Sequence, residues 1–175
     1  MSKPTGKLVA FYRGDAPDDR GRRLDKILAW DFDRLESTHD YIQWLFPLAE
    51  PSGANLHAPV LDASDIAAFR ADAALQARLL ASLRAMLAFY GFVLEDRDGK
   101  PMLARAADFD ERCANWVSPH NHNFLRLTRI LRSLDILGLP QYARALFLAL
   151  ERTYRKNPAV IGSTTFGYWM RAAPL

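Results

Sequence analysis

Asn121-His-Asn-Phe-Leu-Arg-Leu-Thr-Arg-Ile-Leu-Arg-Ser-Leu-Asp-Ile-Leu137 is the stretch whose reading decides the fold. At about 100° per residue, Phe124, Leu127, Ile130, Leu131, Leu134 and Leu137 share one face, and the period is helical. Leu125 and Ile136 stand on the other side, and a helix apolar on both sides belongs near the centre of a bundle. Arg126, Arg129 and Arg132 lie opposite the main stripe. Gly138 stops this helix, and Pro140 opens the next, which runs to about Arg155. Asn157-Pro158 ends that one, and Thr164–Arg171 forms a last short helix carrying Phe166, Tyr168 and Trp169.

Toward the N-terminus the same period recurs. Leu75, Leu79, Leu83, Met86, Leu87 and Tyr90 mark a long helix that Asp72 caps and Gly91 ends. Asp62 and Asp65 form a variant capping box for a helix to about Arg70. A hairpin around Asp98-Gly99 is expected within 92–104, and a helix near Asp108–Val117 follows. Leu35, Thr38, Tyr41, Ile42, Leu45 and Phe46 make one face of a helix that Pro47 terminates. Residues 47–61 read as a loop partly buried by Leu48, Leu56 and Val60. Leu24, Ile27 and Leu28 form a short helix. Residues 1–23 are an arm rich in turn residues, Gly14-Asp-Ala-Pro17 and Asp18-Asp-Arg-Gly21. The fold class is therefore all-α, a single orthogonal multi-helix bundle with one small hairpin.

Half of the 175 residues are hydrophobic, which is enough to bury a core and argues against disorder. The net charge is +3, with a basic start, an acidic centre and a basic segment at 120–156. No five like charges run together, so these regions are read as pairing within the fold. Cys113 is the only cysteine, so no internal disulfide is possible and secretion gains no support. It is expected to be a buried free thiol. No apolar run reaches the ~20 residues of a membrane span, and Leu8–Tyr12 is too short for a signal-peptide core. The expected location is the cytoplasm.

The residues that could carry chemistry lie in two segments. Glu36, Asp40 and Gln43 follow an i, i+4, i+7 spacing, and Trp44 falls among the polar residues of that helix. The carboxylates repel one another and invite a partner, so Arg126, Arg129 or Arg132 is expected to pair with Glu36 or Asp40. A covered Trp44 is the bland reading; a Trp open beside charges would anchor a ligand. His122 and Asn123 cap the arginine helix or join the polar network. His39-Asp40 and His120-Asn-His122 suggest metal, but four His and one Cys match no zinc spacing, so neither a metal nor a cofactor is expected. No Gly-rich phosphate loop is present. The helices flanking Gly138-Leu-Pro140 superficially resemble helix-turn-helix, yet the second carries few polar readers, which disfavours nucleic acid.

Taken together, Leu35-Glu36, His39-Asp-Tyr-Ile-Gln-Trp-Leu-Phe-Pro47 and His122–Leu134 resemble the conserved domain of the opioid growth factor receptor family. Phe11-Tyr-Arg-Gly14, Phe89-Tyr-Gly91, Leu94-Glu-Asp-Arg97, Leu137-Gly-Leu139 and Tyr168-Trp169 support the resemblance, which covers nearly the whole chain in order. By it, the arm at 1–23 precedes a receptor-like helical domain at 24–175. Vertebrate members are described as nuclear-associated receptors for the peptide Met-enkephalin, and they carry long tails whose functions are not carried over here. The family supplies no catalytic residues. The resemblance thus implies a non-enzymatic binding module for a peptide, protein or small anionic ligand. Its candidate site is Glu36, His39, Asp40, Gln43, Trp44, His122, Asn123, Arg126 and Arg129. The alternatives are a hydrolase or transferase using Glu36, Asp40 and His122 as acid–base groups, or a nucleic-acid-binding helical domain.

Overall fold

The computed structural model describes residues 6–174; residues 1–5, where the sequence places the start of the irregular arm, lie outside the described residues. The chain divides into two compact units, one ending at Leu83 and one beginning at Arg84. The described residues contain eleven helices and one two-stranded antiparallel sheet, so the fold is helical with a hairpin.

The first unit contains α1 (Lys7–Arg13), α2 (Leu24–Leu28), α3 (Phe32–Ser37), α4 (Ile42–Leu45), α5 (Ala63–Ala71) and the start of α6 (Ala73–Tyr90). The turns suggested by the arm are joined by a helix, α1, that the sequence does not announce. Its Phe11 and Tyr12 are fully buried. Phe11 meets Trp44 edge-on at 5.2 Å, and Tyr12 meets Phe69 at 5.0 Å. The Tyr12 hydroxyl reaches the Leu45 carbonyl and lies 3.0 Å from Ser82 Oγ. Burial pushes this phenol pKa well up, and the Ser82 contact offsets only part of that.

The single helix expected over 35–46 is two helices. α3 stops at Ser37, Thr38 is extended at φ −97° and ψ 130°, and α4 resumes at Ile42. The chain folds back because the Tyr41 hydroxyl donates to the Leu35 carbonyl at 2.9 Å, while the Asp40 carboxylate is drawn to Arg22 at 2.7 Å. The single-face spacing of Glu36, Asp40 and Gln43 is lost with the break. In the following loop Leu48 is buried as expected, but Leu56 is 85% and Val60 42% exposed. The Asp62/Asp65 capping box on α5 is formed reciprocally, and the Asp72 side chain accepts the Ala74 N–H at 2.9 Å.

The second unit contains the rest of α6, β1 (Phe92–Arg97), β2 (Lys100–Arg105), α7 (Phe109–Trp116), α8 (Asn123–Ile136), α9 (Pro140–Lys156), α10 (Pro158–Ile161) and α11 (Ser163–Ala172). Gly91 ends α6 at φ 86°, as expected. The hairpin pairs Phe92 with Arg105 through to Arg97 with Lys100, and Asp98 and Gly99 both take positive φ in the two-residue turn. α8 packs against α9 and α11, and α9 packs against β2. Pro158 ends α9 but also opens the short α10.

The buried arc of α8 departs from the simple stripe. Asn123, Arg126 and Ser133 are buried beside Phe124, Leu127, Ile130, Leu131 and Leu134, while Leu125 is 67% exposed. Positions 123, 126, 130 and 133 continue the core face at helical spacing, so the face is wider and more polar than its leucines suggest. Trp169 locks the helix start by donating Nε1–H to the Phe124 carbonyl at 3.2 Å. Cys113 is half-buried rather than buried, with its thiol pKa raised chiefly by desolvation.

Candidate functional site

In the first unit the candidate residues sit around the break between α3 and α4. His39 is exposed, Glu36 and Asp40 are half-buried, and Gln43 and Trp44 are buried at 3% and 4% exposure. The break turns α4 inward, so Trp44 packs on Phe11 and its ring is covered. Gln43 Oε1 and Trp44 Nε1 are buried polar atoms without a hydrogen-bond partner among the described residues. Each such atom costs on the order of 1–3 kcal/mol unless a water or another polar group reaches it.

Asp40 takes its charge partners from the loop between α1 and α2. Arg22 Nη1 lies 2.7 Å from Asp40 Oδ1 and Arg20 Nε 3.2 Å from Oδ2. Asp40 therefore draws its charge partners from its own unit, Arg22 and Arg20, rather than from the arginine helix. Arg22 also donates Nε–H to Asp18 Oδ2 at 2.6 Å, and the Asp18 side chain is fully buried. Asp18 Oδ1 accepts the backbone N–H groups of Arg20 and Arg22, so the loop is wound around one carboxylate. Burial of Asp40 works against its ionisation, but the hydrogen bond and charge of Arg22, aided by Arg20, outweigh it and hold the carboxyl below its usual range. Desolvation likewise pulls on Arg22, and Asp40 and Asp18 override it and raise its pKa. Asp18, Arg20 and Arg22 escaped the sequence reading because coil residues have no period; the only signal was the density of charge in Asp18-Asp-Arg-Gly-Arg-Arg23.

In the second unit the candidates open α8. His122 is exposed, Arg129 half-buried, and Asn123 and Arg126 buried at 0% and 5% exposure. The helix start is capped by Asn121, whose Oδ1 accepts the Asn123 N–H at 2.9 Å. Asn123 then gathers its neighbours. Its Oδ1 accepts from the Tyr90 hydroxyl at 3.3 Å and from Arg126 Nη1 at 3.4 Å, while its Nδ2 lies 3.0 Å from Asn121 Oδ1. Asn123 thus joins a polar network as expected, whereas the capping role falls to Asn121. Among the described residues no three His, Cys, Asp or Glu side chains gather as a metal site needs, and no helix is long and apolar enough to cross a membrane.

The conserved region of the opioid growth factor receptor matches residues 11–173 of this chain. The chain therefore belongs to the opioid growth factor receptor conserved-region family. It is 42% identical over 159 residues to the opioid growth factor receptor of Rattus norvegicus, covering 87% of this chain and 27% of that protein. It is 40% identical over 170 residues to the receptor of Homo sapiens, covering 94% of this chain and 25% of that one. The opioid growth factor receptor-like protein 1 of Mus musculus is 37% identical over 142 residues, covering 79% of this chain and 30% of that protein. The chain thus spans about a quarter of the length of the two receptors. No solved structure matches it.

Proposed function

We propose that the chain is a receptor-type binding module that holds a peptide or small anionic ligand without converting it. The observation that carries this reading is the family match over residues 11–173, whose relatives are named receptors. The ligand-contacting groups we propose form two separate sets, Glu36, His39 and Asp40 within the first unit and His122 and Arg129 within the second, all of them half-buried or exposed. Gln43 and Trp44 are buried beside the first set, and Asn123 and Arg126 are buried beside the second. Carboxylates suit an ammonium terminus, and a guanidinium suits a carboxylate or phosphate in two-pronged geometry. The free thiol of Cys113 fits a reducing compartment, and we place the protein in the cytoplasm.

The experiment is a titration of the ¹⁵N-labelled protein with Met-enkephalin, the peptide the resemblance implies, with the same titration of Glu36→Gln and Arg129→Gln. Saturable shifts that at least one of the two variants weakens support the reading. Shifts that never saturate, or a titration that neither variant changes, overturn it. Cleavage of the peptide, seen by mass spectrometry, replaces it with the acid–base reading of Glu36, Asp40 and His122.

A further inference from the structure

A second site is lined by none of the nine candidates, although its Arg22 pairs with Asp40. Gly21, Arg22, Arg23, Lys26, Trp30 and Arg34 line an open cleft of about 410 Å³ in the first unit. Four of these six residues are cations, and their environments differ. Arg22 is neutralised by Asp18 and Asp40. Arg23 donates Nη1–H to the Gly14 carbonyl at 2.6 Å, which fixes its guanidinium but leaves its charge intact. The Arg34 guanidinium lies 4.3 Å from the centre of the Trp30 ring, with Arg22 over the same indole at 5.6 Å. Among the described residues neither Arg23, Lys26 nor Arg34 has a carboxylate at ion-pair distance.

We propose that this cleft binds the phosphate group of a small phosphomonoester. Three cations without a carboxylate partner line the cleft together with the low-dielectric Trp30 indole, and such walls concentrate the field of nearby charges. Two of the three are already held in place, Arg23 by a carbonyl and Arg34 by stacking, so little side-chain entropy remains to be lost on binding. A carboxylate is satisfied by one guanidinium. A phosphomonoester brings nearly two charges and three acceptor oxygens, which matches two guanidinium edges and one ammonium. The surroundings favour a compact ligand over a long polyanion. The adjoining cleft shares Arg23 and adds Arg13 and Arg78, but it also carries Asp25, and Arg13 is already paired with Asp72 at 3.1 Å. Asp31 and Asp33, beside Trp30 and Arg34 in the chain, are exposed and repel an extended phosphate backbone.

The test is a titration of the ¹⁵N-labelled protein with phenyl phosphate at an ionic strength held constant with potassium chloride. The Trp30 indole N–H and the arginine Nε–H resonances are followed. Saturable shifts at Trp30, Arg23 and Arg34 are expected, and Lys26→Ala with Arg34→Gln should raise the apparent Kd at least about tenfold. Arg97→Ala, at an exposed arginine of the second unit, serves as control and should leave binding unchanged. Thermal melting of each variant shows that it is folded, and Lys26→Ala alone is the fallback if the double variant is not. Shifts reproduced by chloride alone overturn the site, as does equal binding by the cleft variants and the wild type. Binding of a single-stranded oligonucleotide in preference to phenyl phosphate overturns the small-ligand assignment.

Discussion

Replacing Asp40 by Asn removes the negative charge that Arg22 and Arg20 share while leaving one carbonyl oxygen in place. Charge-assisted hydrogen bonds at a half-buried site are worth more than neutral ones, so the variant should lose about 1–2 kcal/mol at neutral pH. The pH dependence follows from the direction of the shift. Folding lowers the Asp40 pKa, so its stabilisation is fully present above the ordinary carboxylate value, about 3.9, and is lost as pH falls through the folded value. Urea unfolding at pH 7 should therefore separate wild type from Asp40→Asn, and the gap should shrink well below pH 4. A gap of equal size at both ends of that range would show that Asp40 acts by shape and not by charge. The neighbouring Asp18 is the harder residue to read from sequence. It stands in a run that reads as a turn, and only the folded loop shows that two backbone amides and one guanidinium converge on it.

At the level of elements, what was legible follows local rules. The Asp98-Gly99 hairpin, the Asp62/Asp65 box, Pro140 at the start of α9 and the stop at Gly91 each depend on residues a few positions apart. Gly91 shows how firmly such a rule can be enforced. Its φ of 86° already disfavours a side chain, and an added Cβ would lie 2.9 Å from Phe109 Cα and from Arg112 Cβ. Backbone at Phe109 cannot yield as a flexible side chain would. Gly91→Ala should therefore cost roughly 1–3 kcal/mol, read from a shifted denaturant midpoint with an unchanged slope. A midpoint within error of wild type would mean that α7 shifts freely away from the helix end. The break between α3 and α4 was not legible, because Leu35, Thr38, Tyr41, Ile42, Leu45 and Phe46 keep helical phase right across it. What interrupts the helix is a pull from Arg22, 18 residues away, together with the Tyr41–Leu35 bond. The same break moved Trp44 from a supposed polar face into the core. α1 was hidden for another reason: seven residues following Gly6 offer less than two full turns of pattern.

For the whole molecule, the boundary between the two units falls where no sequence signal marks it. Leu83 and Arg84 are consecutive residues of one unbroken helix, α6, whose apolar stripe continues through both. A composition-based search for linkers reads such a chain as a single domain, since a helix shared by two units has neither glycine, proline nor polar run at the join. The helix nevertheless contributes to each unit separately. Leu75, Leu79 and Leu83 are buried in the first, where Ser82 Oγ meets the Tyr12 hydroxyl at 3.0 Å. Met86, Leu87, Phe89 and Tyr90 are buried in the second, where the Tyr90 carbonyl accepts the Trp116 indole N–H at 3.1 Å. Arg84 is exposed, so Arg84→Pro touches no core side chain but removes one backbone hydrogen bond and clashes with the preceding turn. A cost of about 3 kcal/mol or more is expected. The tryptophans report on the two units independently, Trp30 and Trp44 in the first and Trp116 and Trp169 in the second. In a ¹H–¹⁵N spectrum of Arg84→Pro the Trp116 and Trp44 indole signals should both move, because a kinked α6 disturbs what each half of the helix supports. Arg84→Ala should leave all four signals in place. If only Trp116 and Trp169 respond, the first half of α6 is held by its own unit alone, and the helix does not couple the two.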